Sequence, residues 1–544
     1  MKNDNKIVVN SVAVYFSKNV QQLGFSTPQK AFLTGIKELV DNSLDACNSI
    51  RVLPKIDLTV EKLGPGHTKN SDRIRILLTD NGPGLEKDEV VKAFGTMLAS
   101  AKFSRARVSR GIAGIGASAL LMWAQLTNAS GMRIISKTKK MKKAYSCTVE
   151  IDIKNNVGIV KNESNLDWDQ EQGLSVDVII DGKIQLNGES GILNFLNGTC
   201  LTNPDLTLSY QFPDMEKVTI ERVSTEPKFI PEAVPPHPHT LKFGEFISHS
   251  HQFDQKVSDW LKEGFSRVND GVIKALHKAG IPKGVLNKKT SALSDIEFKD
   301  LYKAVQETPL QPPATSSLTS IGEEALSASI KRLGNVDFSV VVSRKPTVCD
   351  FKPVQIEIAL ARLNDTKGLD EEAVQVLRFA NFVPLLFEKS SDVSIEAIQS
   401  INWKAYGINQ SKGNLPTGPF IFAVSIISPF IKFKNASKEA IDSSDELLEE
   451  IRLALMQAGQ RLSKHIRAEA KKHELEEKRR YIEQFGPILI QSLIDISGER
   501  QSRFKKLENG LNKILGRETT RIKEELQTAE EKVQKMVKEE NKNE

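Results

Sequence analysis

Residues 38–46 read Glu38-Leu39-Val40-Asp41-Asn42-Ser43-Leu44-Asp45-Ala46. No Gly or Pro interrupts them, and Ile36, Leu39, Val40 and Leu44 recur at helical spacing. The stretch therefore reads as a helix with one buried stripe, broken only by Ser43. Glu38, Asn42 and Asp45 fall at i, i+4 and i+7 and share a second face. A carboxylate and a carboxamide one turn apart can divide two tasks. Glu38 can take a proton from a water as general base. The Asn42 side-chain oxygen can ligate Mg2+, a hard cation that prefers oxygen and keeps most of its waters. Read alone, the same face also fits an ordinary solvated helix.

Two stretches further along favour the chemical reading. Residues 74–79 form a β-like run that ends in Asp80-Asn81-Gly82-Pro83-Gly84. An acid at a strand end can accept a hydrogen bond from an amino group, and the glycines let backbone approach a flat ring. By itself this is also an ordinary turn. Then Arg110-Gly111-Ile112-Ala113-Gly114-Ile115-Gly116-Ala117 runs straight into a helix expected over residues 118–126. Glycines that open a helix expose backbone N–H groups and the positive end of its dipole, a seat for phosphate. The spacing is GxxGxG, and the residues before it are polar and basic, so a dinucleotide-binding turn is excluded. No G-x-x-x-x-G-K-[ST] occurs either.

An acid–amide helix, an Asp-x-Gly-x-Gly turn and a glycine lid, in this order, resemble the GHKL ATPase superfamily. The closer resemblance is to the B subunits of type IIB DNA topoisomerase VI. It is carried by residues 25–46 (FSTPQKAFLTGIKELVDNSLDA), 101–125 (AKFSRARVSRGIAGIGASALLMWAQ) and 402–441 (NWKAYGINQSKGNLPTGPFIFAVSIISPFIKFKNASKEAI). The resemblance implies an α+β multidomain chain. A GHKL (Bergerat) α/β sandwich would occupy residues 1–232, with residues 1–10 as a strap crossing to a second protomer. A small helix–two-turn–helix module would occupy 233–313, and a transducer α/β domain with a long helix 314–498. A charged tail, 499–544, remains. It further implies that Glu38 activates water, Asn42 holds Mg2+, and Asp80 and Gly84 receive the adenine of ATP. Ala101 and Lys102 would line the nucleotide. Arg110, Gly111, Ile112, Ala113, Gly114, Ile115, Gly116 and Ala117 would surround its phosphates. Lys438 would reach back to the γ-phosphate as a sensor. At about 3 Å an ammonium and a phosphate oxygen attract by roughly 5 kcal/mol per unit charge at ε ≈ 20, before desolvation. Part of that is lost when the γ-phosphate leaves, which turns a phosphate state into a domain angle. Two departures stand out. Asp41 replaces the usual Glu, with little loss expected, and Gln172-Gly173-Leu174 replaces the usual His-Gly-Thr.

Composition agrees. Lys and Arg exceed Asp and Glu by 6, which permits nucleic-acid binding without demanding it. Cys47, Cys147, Cys200 and Cys349 are isolated, as reduced thiols of a cytoplasmic protein would be. No run of eighteen apolar residues is present and the first residues are polar, so neither a membrane span nor a secretory signal is expected. Proline-rich breaks at 231–238 and 310–313 mark boundaries. His237 and His239 lack partners at ligand spacing, which argues against a metal. Asp167-Trp168-Asp169 sits in a polar stretch, 162–173, read as a hairpin tip and not as a metal site. Residues 131–181 alternate as strands, as do 336–342 and 354–360. Residues 374–381 and 393–401 look helical, 420–427 reads as a buried strand, and 446–481 as a long helix. Lys274, Lys278, Lys283, Lys288 and Lys289 make one end of the small module basic, which fits DNA contact or a solvated face.

The expected function is an ATP-operated, Mg2+-dependent clamp. Two B subunits would close on duplex DNA and pass a signal to Spo11-like A subunits in an A2B2 heterotetramer, cytoplasmic, nucleoid-associated and of archaeal type. The alternative is a non-catalytic GHKL-like scaffold that only organises a strand-break partner. Intact Glu38, Asn42, Asp80 and glycines disfavour it. A histidine kinase is disfavoured because no phosphoacceptor helix precedes the module, and Hsp90- or MutL-like clamps by the 402–441 stretch.

Overall fold

The computed structural model describes residues 11–98, 107–111, 114–332, 336–364, 369, 371–434 and 439–497, with scattered helical positions between 505 and 528. The strap at 1–10, Ala101, Lys102, Ile112, Ala113 and Lys438 lie outside the described residues.

Short α1 (Val12–Lys18) leads into α2 (Pro28–Ser49). Thr27 caps α2 by accepting from the Lys30 N–H, and Pro28, whose missing N–H costs nothing there, opens it. Ile36, Leu39, Val40 and Leu44 are fully or nearly fully buried, as their spacing predicts. They cover an eight-stranded sheet made of β1 (Lys55–Pro65), β2 (Asp72–Asp80), β3 (Met132–Lys137), β4 (Ala144–Asp152), β5 (Val157–Leu166), β6 (Gly173–Gly182), β7 (Thr207–Gln211) and β8 (Val218–Ile220). Its order is β5-β4-β3-β6-β2-β1-β7-β8, antiparallel except for β1 with β7. With α2, helices α3 (Lys87–Gly95) and α4 (Gly116–Asn128) pack on the same face. Helix α5 (Ile192–Thr202) precedes β7. The strand expectation for 131–181 holds with one correction: β5 continues to Leu166, so the hairpin tip is confined to residues 167–172. Polar side chains hid this strand because it is the sheet edge and residues 161–165 are exposed on both faces.

Five short helices follow: α6 (Phe243–Ser250), α7 (Val257–Gly264), α8 (Asp270–Lys278), α9 (Lys283–Asn287) and α10 (Asp295–Glu307). They enclose a small core of Phe246, Trp260, Leu261, Phe265, Leu276 and Leu301. His237 and His239 bond the carbonyls of Gln311 and Val305, fastening the two proline-rich breaks side by side. No metal-binding cluster exists among the described residues.

In the last unit α11 (Glu323–Lys331) precedes β9 (Val336–Ser343), β10 (Thr347–Cys349), β11 (Lys352–Leu363), β12 (Gln375–Ala380) and β13 (Val383–Pro384). After α12 (Val393–Ser400) come the two-residue strands β14 (Asn409–Gln410) and β15 (Pro416–Thr417), then β16 (Phe420–Ile427). The sheet runs β10-β11-β16-β12-β13, with β9 also paired to β11. The helix expected over 374–381 is instead β12, parallel to β16. Val376, Arg378 and Ala380 alternate onto one buried face, and the arginine in the middle disguised the strand. Arg378 is buried because it pairs with the equally buried Asp392 at 3.2 Å. One face of the sheet packs on α12 and on α13 (Asp445–Ser497) through Ile451, Leu455 and Leu462. The other joins α11 and reaches Leu201 of α5, so the first and last units share a core. Helix α13 runs beyond the expected Tyr481. Its far half exposes Tyr481, Phe485, Ile488, Leu489, Leu493 and Ile496. No helix among the described residues is long and apolar enough to cross a membrane.

Candidate active site

Helix α2 presents Glu38, Asn42 and Asp45 to the glycine segment that opens α4. Each meets a different part of it. The Glu38 carboxylate rests on Gly116: a Cβ there would lie 1.7 Å from Glu38 Oε2. Any side chain at 116 would evict the carboxylate, so the close approach fixes glycine at this position. Gly111 faces Asn42, whose Oδ1 would be 3.7 Å from an added Cβ, an open contact. Asn42 is exposed, so its oxygen can reach a ligand. Asp45 accepts from Arg110 Nη1 at 2.9 Å and, at longer range, from the backbone N–H groups of Arg110 and Gly111. Gly116 begins α4, so the first-turn N–H groups of residues 116–118 have no partner within the helix. The positive end of α4 thus lies against a carboxylate that can act as a base.

Asp80 ends β2 and is 2% exposed. Ser43 Oγ donates to its Oδ2 at 2.6 Å and the Gly82 N–H to its Oδ1 at 2.8 Å. Burial pushes the Asp80 carboxyl above its ordinary range, and the bonds from Ser43, Gly82 and Leu174 pull it back. Two fixed oxygens with lone pairs to spare suit recognition of an amino group. Ser43 explains the break in the apolar stripe of α2. Sequence reasoning missed it, although a lone hydroxyl on a buried face beside Asn42 was the available signal. Gly84 runs against β3, where a Cβ would meet the Lys137 carbonyl at 2.2 Å. In the departing triplet, Gly173 has φ +145° and lies on the Asp80 carbonyl, which a Cβ would approach to 2.2 Å. Gln172 donates to the Asn81 carbonyl at 3.4 Å, and Leu174 pairs with Asp80 in the sheet. The backbone of residues 172–174 thus frames Asp80.

Three charged residues around the site have their partners within the protein. Asp41 is buried at the foot of the site. Its Oδ2 is 3.7 Å from Lys37 Nζ, which also lies 3.8 Å from Glu38. Burial pushes the Asp41 carboxyl up to about 6, with Lys37 drawing it back. Arg110, expected at the phosphates, turns its guanidinium inward, 1% exposed, between Asp45 and Asn203. Glu439, next to the expected sensor, pairs with Lys30 of α2 at 3.2 Å. The backbone bond from the Lys434 N–H to the Ala440 carbonyl draws together the residues flanking 435–438, and Glu439 anchors that end of the unit on α2.

Two family models match separate stretches of the chain. The family described as "Topoisomerase VI B subunit, transducer" matches residues 313–478. The family described as "Histidine kinase-, DNA gyrase B-, and HSP90-like ATPase" matches residues 31–172. The B subunit of type 2 DNA topoisomerase 6 from Methanococcoides burtonii is 31% identical over 89% of this chain and 76% of its own. Its counterpart in Archaeoglobus fulgidus is 30% identical over 89% and 79%. The one in Pyrococcus abyssi is 28% identical over 92% and 93%.

Proposed function

The chain belongs to the family of type 2 DNA topoisomerase 6 B subunits, and from that premise we propose how its residues carry out the reaction. It is the ATP-driven B subunit of a type II DNA topoisomerase, built on the GHKL ATPase fold. The unit boundaries fall at 232/233 and 313/314.

Glu38 takes the proton of the attacking water. Residues 111–117 surround the phosphates with N–H groups, and the first turn of α4 adds its dipole. Asp80 accepts from the adenine amino group, held by Ser43 and Gly82, and Gly84 lets the ring lie against backbone. Ala101 and Lys102 line the nucleotide. One exposed carboxamide oxygen fits a cation that keeps most of its waters, so Asn42 is the residue that would hold Mg2+. Bound there, Mg2+ would neutralise charge on the transferred phosphoryl group. Lys438 senses the γ-phosphate, and the anchoring of Glu439 on Lys30 supports that placement. In phosphoryl transfer positioning and charge neutralisation supply most of the rate.

Two B subunits pair through their GHKL domains when ATP is bound, with residues 1–10 crossing between them, and enclose a DNA duplex. The exposed apolar stripe of α13, from Tyr481 to Ile496, docks an A subunit, and the assembly is A2B2. The transducer carries the nucleotide state to the A subunits, which cut the second duplex.

The close approach of the Glu38 carboxylate to Gly116 carries this reading, because it supports a base acting at the mouth of a phosphate seat. In the purified protein, Glu38→Ala is expected to cut ATP turnover by about 100-fold or more while nucleotide affinity holds. Hydrolysis at near wild-type rate would overturn the assignment of Glu38.

A further inference from the structure

The Arg110 guanidinium is buried, and what it touches is informative. Its guanidinium donates to the Asn203 Oδ1 as well as to Asp45. The same Oδ1 accepts from Lys228 Nζ at 3.1 Å. Both cations face one ring: Lys228 Nζ lies 3.5 Å from the centroid of Phe382 and the Arg110 guanidinium carbon 5.6 Å. Phe382 belongs to the transducer and is 1% exposed. Its carbonyl accepts from Thr202 Oγ1 at 2.7 Å. The neighbouring Asn381 donates to the Ser109 carbonyl at 3.4 Å and exchanges two bonds with Ser428, just past β16. The stem of the glycine lid, residues 109–111, is thus bonded both to α2 and to the turn that joins β12 to β13.

Asn381 and Phe382 have φ of +48° and +71°, the positive values that both central residues of a two-residue hairpin turn between β12 and β13 adopt. Asparagine suits such a turn, whereas the ring of Phe382 is held there by the groups around it. Those groups include two cations in a dry space, where each is stable only while its partners stay in reach. Burial draws the Lys228 ammonium down to about 7, with Asp205 raising it. A lid that moves toward a triphosphate cannot leave the Arg110 guanidinium behind unpaired. Either the Phe382 turn follows or the lid is held back.

We propose that Arg110 is a positioning residue, and that Arg110, Asn203, Asn381 and Phe382 form a second route from the nucleotide lid to the transducer, separate from the 435–438 segment. The route rests on the reading that residues 111–117 close on a triphosphate. Allosteric coupling is reciprocal: a transducer residue that restrains the lid must also set nucleotide affinity.

The test uses the full chain assembled with its A subunit. Phe382→Leu keeps an apolar filling and removes the ring. Asn381→Gly keeps the hairpin turn and removes the side-chain bonds to Ser109 and Ser428. Readouts are affinity for a non-hydrolysable ATP analogue, ATP turnover at saturation, and duplexes passed per ATP hydrolysed. Each folded variant is expected to shift analogue affinity, and to lower passages per ATP, by about fivefold or more, while saturated turnover stays within about twofold. Combined with Lys438→Ala, the loss in passages per ATP should multiply, as independent sites do. Wild-type affinity and wild-type passages per ATP in both variants would overturn the route. A double variant no worse than Lys438→Ala would overturn its independence. Failure of the wild-type chain to take up nucleotide would instead bring down the functional reading itself, and this route with it.

Discussion

Gly116→Ala isolates the geometry of the base from its chemistry. The new methyl would sit 1.7 Å from Glu38 Oε2, 2.4 Å from Cδ and 2.8 Å from Cγ. Real Cβ contacts stop near 3.0 Å, so the carboxylate must retreat by roughly 1.3 Å or more, and a misplacement of about 1 Å can cost about 100-fold in rate. That is about 2.7 kcal/mol of barrier. The fold should survive, because Glu38 is a flexible side chain at the edge of an accessible site and alanine suits a helix start better than glycine. Steady-state hydrolysis across an ATP titration gives the number, and thermal unfolding controls for stability. The expectation is a turnover close to that of Glu38→Ala, with an unchanged melting point. A folded Gly116→Ala protein that hydrolyses ATP within threefold of wild type would show that Glu38 does not act from this position.

Ser43→Ala deprives the buried Asp80 carboxylate of a 2.6 Å donor. Bonds to charged groups contribute about 1.5–3 kcal/mol, so calorimetry should find adenine-nucleotide affinity lowered by about tenfold or more. Unchanged affinity would remove Asp80 from adenine recognition. The small helical module should lose stability in acid. Burial pulls His249 from 6.5 down to about 4, so the unfolded chain takes up a proton there before the folded one does. Stability attributable to His249 therefore falls as pH drops from about 6.5 to about 4, by about 3 kcal/mol in all. Urea unfolding at several pH values should show a shallower decline in His249→Phe, with His237, also drawn to about 4, supplying part of what remains. An identical slope in the variant would refute the assignment.

The sequence made the polar face of α2 legible because helical spacing alone sets which side chains share a side, and Glu38, Asn42 and Asp45 obey it. The strand ending in Asp80 and the glycine opening of α4 were legible for the same local reason. What each residue touches was not. Arg110 lies among polar and basic residues, and its burial depends on Asn203 and Phe382, far away in the chain. Ser43 looked like an interruption because its partner, Asp80, enters from another strand. The misread β12 has a similar cause. Arg378 spoils its apolar alternation, and Asp392 together with the carbonyls of Leu385 and Phe387 makes an arginine tolerable there.

Helix α13 has 53 residues, and its deepest packing on the sheet ends near Leu462. At 1.5 Å per residue, the span from there to Ser497 is about 50 Å long. Each degree of tilt at the sheet therefore sweeps the tip through about 0.9 Å. The rod works as a fixed gear ratio. Its length sets how far the exposed apolar end, from Tyr481 to Ile496, travels for a given tilt at the sheet.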